Sequence, residues 1–194
     1  MNHFNNQQVL PAASNIKEFE KLMETDYEYI ILLDCHIVQL VSLIKLAKRY
    51  RKKVLLHADL IQGLRSDEHG AEYLCHYIKP AGLISTRTSV VSIARKRSLI
   101  AIQRIFLIDT HALNTSYRLL DSFQPDYIEL LPGVIPHIIR EVAENTKIPV
   151  LAGGLIRTVT EAKAALKAGA VAITTSRENI WRRTHKKQLL YKKD

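Results

Sequence analysis

Cysteine and long apolar runs are scarce in this sequence. Its 194 residues include two cysteines, Cys35 and Cys75, which are too few for a disulfide framework or a cysteine metal cluster. Residues 1–15 lack the charged start and the apolar stretch of a signal peptide. No uncharged apolar run approaches the ~18 residues that cross a bilayer. These absences exclude the secreted, membrane-spanning and fibrous classes, and they predict a cytoplasmic protein with reduced thiols.

Acidic residues are outnumbered by basic ones. The 28 lysines and arginines exceed the 19 aspartates and glutamates, which gives a net charge of +9 and a pI near 9.6. This balance favours an anionic partner, such as nucleic acid, an acidic membrane surface or an anionic ligand. The hydrophobic fraction of 47% is close to the globular average, so the chain can form one compact domain.

Eight short apolar runs recur along the chain and alternate with helical patterns. They are rich in β-branched residues and are apolar at odd and even positions alike, which is typical of parallel strands buried on both faces. The runs are Val9–Ala13, Tyr29–Leu33, Val54–Ala58, Gly82–Ser85, Ile102–Ile108, Tyr127–Leu131, Ile148–Ala152 and Val171–Thr175. They predict a compact (β/α)8 barrel over residues 1–181, followed by a basic tail over residues 182–194. A doubly wound sheet is the alternative, but no G-x-G-x-x-G follows the first run.

Local signals predict where some connections and helices begin. Ser14 is predicted to cap a helix over Ile16–Met23. Thr158 or Thr160 is predicted to start the helix after the seventh strand. The longest connection, Leu60–Gly70, is predicted to be a lid or ligand loop.

Polar residues follow most of the predicted strands. In a (β/α)8 barrel the C-terminal strand ends face the ligand, so these residues are predicted to form a ring at one rim. Any one of them could simply mark the end of a strand, but most carboxylates recur at the same place in the repeat. The ring comprises Asp34, His57, Asp59, Ser85–Arg87, Asp109, His111, Glu129, Pro132–Gly133, Gly153–Gly154 and Thr175–Ser176.

Two loops at this rim predict a phosphate site. Ala152–Ile156 contains two glycines after the seventh strand, and Thr174–Ser176 follows the eighth. Glycines let backbone N–H groups approach an anion, and phosphate sites of this fold commonly use these two loops. The alternative is a tight turn that needs positive φ.

The remaining polar residues leave catalysis open. His57 and Asp59 are two apart on a predicted strand, so they are expected to point the same way and could bind a metal or polarise a carbonyl. Asp109, His111 and Glu129 could add ligands, but a closed metal site is disfavoured. No lysine stands at the C-terminal end of a predicted strand, so a Schiff-base aldolase would lack its nucleophile.

Basic residues form three runs. A charge run is usually a solvated helix face, but three runs and the net charge of +9 favour an anionic polymer. Aromatic residues flank the third run, which suits single-stranded RNA and predicts RNA contacts at Arg182, Arg183, Lys186 and Lys187. The runs are Lys45–Lys53, Arg95–Arg97 with Arg104, and Arg182–Lys193.

Six short motifs are spread over nearly the whole chain. They are His57–Leu64, Gly82–Thr86, Arg104–Asp109, Ile128–Gly133, Ala152–Ile156 and Thr174–Trp181. None is specific alone, but their order and spacing resemble the glycerol-uptake operon antiterminator family, the glycerol-3-phosphate-responsive regulators of bacteria.

The resemblance implies a TIM-like barrel that binds glycerol 3-phosphate and then acts on leader RNA, so that transcription passes a terminator. It implies no enzymatic reaction and no metal or other cofactor, and it leaves a homo-oligomer open. Carried over, Gly153, Gly154, Thr175 and Ser176 would hold the phosphate. His57, Asp59, Asp109 and Glu129 would face the glycerol end. Arg87 stands where relatives are expected to have lysine, and Thr174 where they are expected to have serine.

Two other functions stay open. A phosphosugar isomerase or transferase on the same barrel could use the histidine and carboxylates of the rim for acid–base chemistry. A degenerate phosphodiesterase could use the same acids to bind a metal. The high pI and the absence of lysine at the strand ends favour the regulator.

Overall fold

Eight parallel strands close into one barrel in the computed structural model, which describes residues 3–185. In chain order the strands are β1 (Val9–Ala13), β2 (Tyr29–Leu32), β3 (Cys35–His36), β4 (Lys53–His57), β5 (Ile61–Gln62), β6 (Gly82–Ser85), β7 (Ile100–Phe106), β8 (Tyr127–Leu131), β9 (Val150–Gly153) and β10 (Ala172–Thr175). β3 and β5 pair with each other outside the barrel, and β1 pairs with β10 to close it. The predicted (β/α)8 barrel is confirmed.

Helices cover the outside of the barrel between the strands. They are α1 (Ile16–Met23), α2 (Leu40–Arg49), α3 (Glu68–Tyr73), α4 (Thr88–Lys96), α5 (Thr110–Ser122), α6 (Pro136–Thr146), α7 (Val159–Lys167) and α8 (Glu178–His185). α3 continues directly into a π-helical segment, Leu74–Ile78. Within residues 3–185 no helix is long and apolar enough to cross a membrane.

Two helix starts test the predicted capping residues. α7 begins after Thr158, whose Oγ1 accepts from the Glu161 N–H at 3.1 Å while the Glu161 carboxylate accepts from the Thr158 N–H at 2.9 Å. α1 begins after Asn15, whose Oδ1 accepts from the Glu18 N–H at 3.0 Å. The predicted cap at Ser14 is therefore wrong, because its own N–H instead donates to the Glu18 carboxylate at 2.7 Å.

The barrel interior is apolar and closed at the N-terminal ends of the strands. Alternate residues of the strands point inward and are buried, among them Leu10, Ile31, Leu55, Ile84, Ile102 and Leu151. Phe4 covers this layer from below, with its ring 5.1 Å from that of Tyr29 and 4.6 Å from that of Tyr127. Burying such a ring contributes about 1.5–3 kcal/mol. Phe4 therefore closes this end, and the cavity described below opens at the opposite end of the barrel.

The connection Leu60–Gly70, predicted as a lid or ligand loop, is anchored to its neighbour. β5 lies within it and pairs in parallel with β3. The Gln62 side-chain amide also donates to the Asp34 carboxylate at 3.0 Å. The connection is therefore tied to the segment after β2, while Leu60 reaches the cavity described next.

Candidate ligand site at the C-terminal rim

A cavity of about 330 Å³ opens at the C-terminal ends of the barrel strands. Ala12, Ile31 and Leu33 form an apolar wall at the ends of β1 and β2. Arg104 of β7 and Glu129 of β8 lie across from that wall, and the loops after β9 and β10 complete the lining. The cavity thus joins one apolar side to a polar side that carries charge.

The loop after β9 depends on its glycines. Gly154 adopts a φ of +73°, in the left-handed region that favours glycine. At Gly153 a Cβ atom would overlap the Thr174 hydroxyl and stand 3.0 Å from the Glu129 carboxylate. A Cβ at Gly133 would stand 2.7 Å from the Gly153 nitrogen. The loop therefore makes the expected turn through positive φ, and Gly154 lines the cavity. The phosphate site expected at the same loop stays a prediction.

Cations surround the two loops. Arg157 and Arg177 are exposed lining residues, one after β9 and one after β10, and Arg104 reaches the cavity from within the barrel. The Thr175 hydroxyl accepts from the Arg177 N–H at 3.1 Å, while Ser176 lines the mouth. Backbone amides at such loops, a helix start and guanidinium groups together favour an anion. Among the residues that the structure describes, the lining carries one carboxylate, that of Glu129, against these three arginines.

A buried ion pair forms the polar base of the cavity. Glu129 is 1% exposed, and its Oε2 accepts from Arg104 Nε at 2.7 Å. Its Oε1 accepts from the Thr174 hydroxyl at 2.7 Å. The alternation of β8, with Tyr127 already inside the barrel, turns Glu129 inward as well.

The sequence groups Arg104 with the second basic run and so predicts it at the surface. That prediction is wrong. Arg104 lies two residues after Ile102, which fills the barrel interior, so the alternation of β7 turns it inward. Strand alternation is the signal that predicts an inward Arg104. A charge on the inward side of a strand needs a buried partner, so it also predicts an ion pair there.

His57 lies inside the barrel at the end of β4 and is 2% exposed. Within the described part of the chain neither ring nitrogen has a hydrogen-bond partner. Burial, and secondarily the charge of Arg104, lowers its pKa to about 4. The neutral imidazole therefore holds one donor and one acceptor that a bound hydroxyl could satisfy.

Asp59 is saturated by its own protein neighbours. Its carboxylate accepts from the Ser66 hydroxyl at 2.7 Å, from the Ser85 hydroxyl, and from the N–H and hydroxyl of Thr86 at 2.7 and 2.8 Å. Burial acts to raise its pKa, but these hydrogen bonds outweigh burial and hold the pKa below its usual value. β4 ends at His57, so strand alternation does not extend to Asp59, and the expected common direction of these two side chains is not found.

Asp109 caps a helix and lies away from the cavity lining. It is exposed, and its carboxylate accepts from the Ala112 N–H at 2.8 Å at the start of α5. His111, in the first turn of α5, is exposed. Within residues 3–185 no group of three or more histidine, cysteine, aspartate or glutamate side chains could hold a metal ion. Of the eight predicted ligand contacts, the cavity lining includes Glu129, Gly154, Thr175 and Ser176.

The first two basic runs are only partly available to a partner. Lys52 is buried and donates to the backbone carbonyls of Thr25 and Tyr27. Lys53 pairs with Glu28 at 2.8 Å. In the second run, Arg97 forms three hydrogen bonds with the Glu72 carboxylate, at 2.8, 2.9 and 3.3 Å.

The third basic run lies mostly outside the described residues. Arg182 is exposed in α8, pairs with Glu178 and stands 6.0 Å from the Trp181 ring. Arg183 continues the α8 backbone. Lys186 and Lys187 fall beyond the described residues, so the predicted RNA contacts of this run stay a prediction.

Known proteins resemble this chain in fold and in sequence. A model of the family of glycerol-3-phosphate responsive antiterminators matches residues 9–181. The crystal structure of a glycerol uptake operon antiterminator regulatory protein from Listeria monocytogenes is 44% identical, with a TM-score of 0.91 over 93% of this chain and 97% of that one. A glycerol uptake operon antiterminator-related protein from Thermotoga maritima is 24% identical, with a TM-score of 0.79 over 90% and 97% of the two chains. The Escherichia coli K12 protein YgcP is 29% identical over 173 residues, 89% of this chain and 91% of its own. The chain therefore belongs to the glycerol-3-phosphate responsive antiterminator family.

Proposed function

We propose that glycerol 3-phosphate binds in the rim cavity as an effector, and that the loaded protein binds leader RNA in the cytoplasm so that transcription passes a terminator. The observation that carries this proposal is the pairing of glycine-shaped, arginine-flanked loops with one buried carboxylate at the base of the same cavity. An anionic group fits the loops, and hydroxyl groups fit the base.

The phosphate is proposed to lie between the loops after β9 and β10. There it meets backbone amides at Gly153 and Gly154 and hydroxyls at Thr175 and Ser176. The left-handed turn at Gly154 and the opening of the cavity at both loops support this placement. Arg157 and Arg177 flank it, and guanidinium groups bind phosphate well.

The glycerol hydroxyls are proposed to meet Glu129 and His57. Each oxygen of the Glu129 carboxylate accepts one recorded hydrogen bond, and a carboxylate offers about four acceptor positions in all. Its remaining capacity suits a ligand hydroxyl. His57 lies outside the cavity lining, but its ring nitrogens have no hydrogen-bond partner within residues 3–185, which supports a contact with a second hydroxyl. A direct role for Asp59 and Asp109 stays a prediction, because their carboxylates serve backbone amides and hydroxyls of the protein.

We further propose a regulator without turnover and without a metal. The cations that line the cavity are arginines, which stay protonated and do not form Schiff bases. A phosphate met by amides and guanidinium groups needs no metal to neutralise it. Dialysis against a chelator should leave effector binding intact.

Binding of the glycerol-operon leader RNA, measured with and without glycerol 3-phosphate, tests the proposal. We expect glycerol 3-phosphate to tighten RNA binding and to raise the melting temperature of the protein, and glycerol at equal concentration to do neither. RNA binding that ignores the effector, or conversion of glycerol 3-phosphate to a product, would contradict the regulator and favour an enzyme.

A further inference from the structure

The end of the barrel opposite the cavity carries a cluster of exposed cations. They come from the C-terminal ends of α2, of the π-helical segment after α3, and of α4. α2 packs against the π-helical segment and α3 packs against α4, so the three elements lie side by side. We define the basal basic face by Lys48, Arg49, Arg51, Lys79, Arg95 and Lys96, all of which are exposed.

Nearby carboxylates are already engaged by other cations. Glu72 accepts from Arg97, and the His76 ring lies 3.1 Å from it. Glu28 pairs with Lys53 at 2.8 Å. Among the described residues no ion pair is recorded for the cations of the basal basic face. A single cation at a helix C-terminus is accounted for by the helix dipole, but six on three adjacent elements leave a local surplus of positive charge.

Exposed aromatic rings lie within the same face. Tyr77 is 77% exposed in the π-helical segment, and its ring stacks on that of Tyr73 with centroids 5.5 Å apart and planes at 27°. Tyr50, directly after α2, is 50% exposed. The Tyr73 ring supports one face of Tyr77. Phosphate-binding cations interleaved with exposed rings are the usual means of binding single-stranded nucleic acid.

We propose that the basal basic face binds single-stranded RNA, with bases stacked on Tyr77 and Tyr50 and phosphates met by the cations of α2, the π-helical segment and α4. This inference rests on the proposed RNA-binding function and gives it a surface. RNA and effector then occupy opposite ends of the barrel and do not compete for space. A substitution in one site therefore leaves the residues that contact the ligand of the other site in place.

Fluorescence anisotropy with a labelled oligouridine of about 20 nucleotides tests this surface, because that length exceeds the usual site of 4–16 nucleotides. The face variant changes Arg49, Lys79 and Arg95 to glutamine, one cation from each element. The matched control changes Arg140, Lys163 and Lys167 to glutamine. These residues are exposed on α6 and α7, on the far side of the barrel, and the charge lost is the same.

The face variant should bind RNA more weakly than the control at low salt. Its slope of log affinity against log salt should flatten by about 2, since each neutralised phosphate of a single strand contributes about 0.7. Tyr77→Ala should weaken binding about 10-fold through lost stacking, and Tyr77→Phe should bind like the parent. None of these three variants should change the melting-temperature rise caused by glycerol 3-phosphate.

Each of the other possible results contradicts one part of this proposal. Equal loss in the face variant and the control would mean diffuse charge attraction, and parental binding in both would place RNA elsewhere, with the run after Arg182 as the next candidate. Parental binding by Tyr77→Ala, together with equally tight binding of duplex RNA, would rule out base stacking. A parent protein that binds neither oligouridine nor leader RNA in the presence of glycerol 3-phosphate would refute the RNA-binding function itself. If only the proposed surface is wrong, the parent binds RNA and the face variant binds it equally well.

Discussion

The two halves of the C-terminal rim use similar residues for different purposes. In the cavity half, Arg104 and Glu129 pair inside the barrel and line an open cavity. In the anchored half, Asp59 is satisfied by Ser66, Ser85 and Thr86 and holds the connection after β4 to the start of α4. A carboxylate near a strand end is therefore available to a ligand only where the protein leaves it accepting capacity beside an open space.

Strand alternation explains the difference. Glu129 lies within β8, two residues after the inward-facing Tyr127, so its side chain also enters the barrel. Asp59 lies beyond the end of β4, in a short 3-10 turn, where the alternation no longer holds. From there it reaches hydroxyls of the neighbouring strand and connections instead of the cavity.

Loss of the Glu129 carboxylate should have the largest effect on stability. Glu129→Ala leaves the Arg104 guanidinium mostly buried without its partner, so the free energy of unfolding should fall by about 3–5 kcal/mol in urea titration. The double variant with Arg104→Met removes that stranded charge and should be more stable than Glu129→Ala alone. If the losses of Glu129→Ala and Arg104→Met simply add in the double variant, the two residues act independently and the ion pair does not stabilise the fold.

A charge placed in the loop after β9 should abolish the proposed effector binding. The parent at a hundredfold excess of glycerol 3-phosphate over Kd should gain about 2.7 kcal/mol, or roughly 5–11 °C in melting temperature. Gly154→Asp should lose this rise, because its carboxylate would face the phosphate. Gly154→Asn is the matched control, since asparagine has nearly the same shape, tolerates positive φ and adds no charge. An unchanged rise in the aspartate variant would move the phosphate to another place.

The barrel could be predicted because its signals are local. β1, β6 and β8 have the predicted bounds, and the other barrel strands differ from them by one or two residues at one or both ends. Buried parallel strands produce contiguous apolar runs, and those runs repeat with the helices. The glycine loop after β9 was also visible, because positive φ and close backbone approach both require glycine.

The base of the cavity could be predicted only in part. The strand pattern predicts Glu129 as a strand-end carboxylate, but its partner Arg104 is distant in the sequence and lies near other basic residues of the chain. The hydrogen bonds of Asp59 likewise join segments that are far apart in the sequence. Pairing between side chains on different strands depends on register, which residue types alone do not specify.

Asp59→Asn should lower stability while sparing the effector site. Weaker hydrogen bonds to Ser85 and Thr86 should cost about 2 kcal/mol, and the melting-temperature rise with glycerol 3-phosphate should remain. The pKa of Asp59 is depressed in the folded state, so its stabilisation is complete above the unfolded value of about 3.9 and is lost as pH falls through the lower folded value. Parent and variant should therefore converge in acid. A variant with parental stability and no effector response would instead place Asp59 at the ligand.

His57 should produce the smallest effect, in a different pH range. Its folded pKa is lowered to about 4 from an unfolded value near 6.5. Stability that depends on the neutral ring is therefore complete above pH 6.5 and falls as pH drops towards 4, because the unfolded chain takes up the proton first. Between pH 7.5 and 5.5 the parent should lose about 1 kcal/mol that His57→Gln retains, as measured by urea titration at each pH. Equal pH dependence in the two proteins would mean that His57 is charged or solvated in the folded state, and its neutral ring would then be removed from the proposed glycerol contacts.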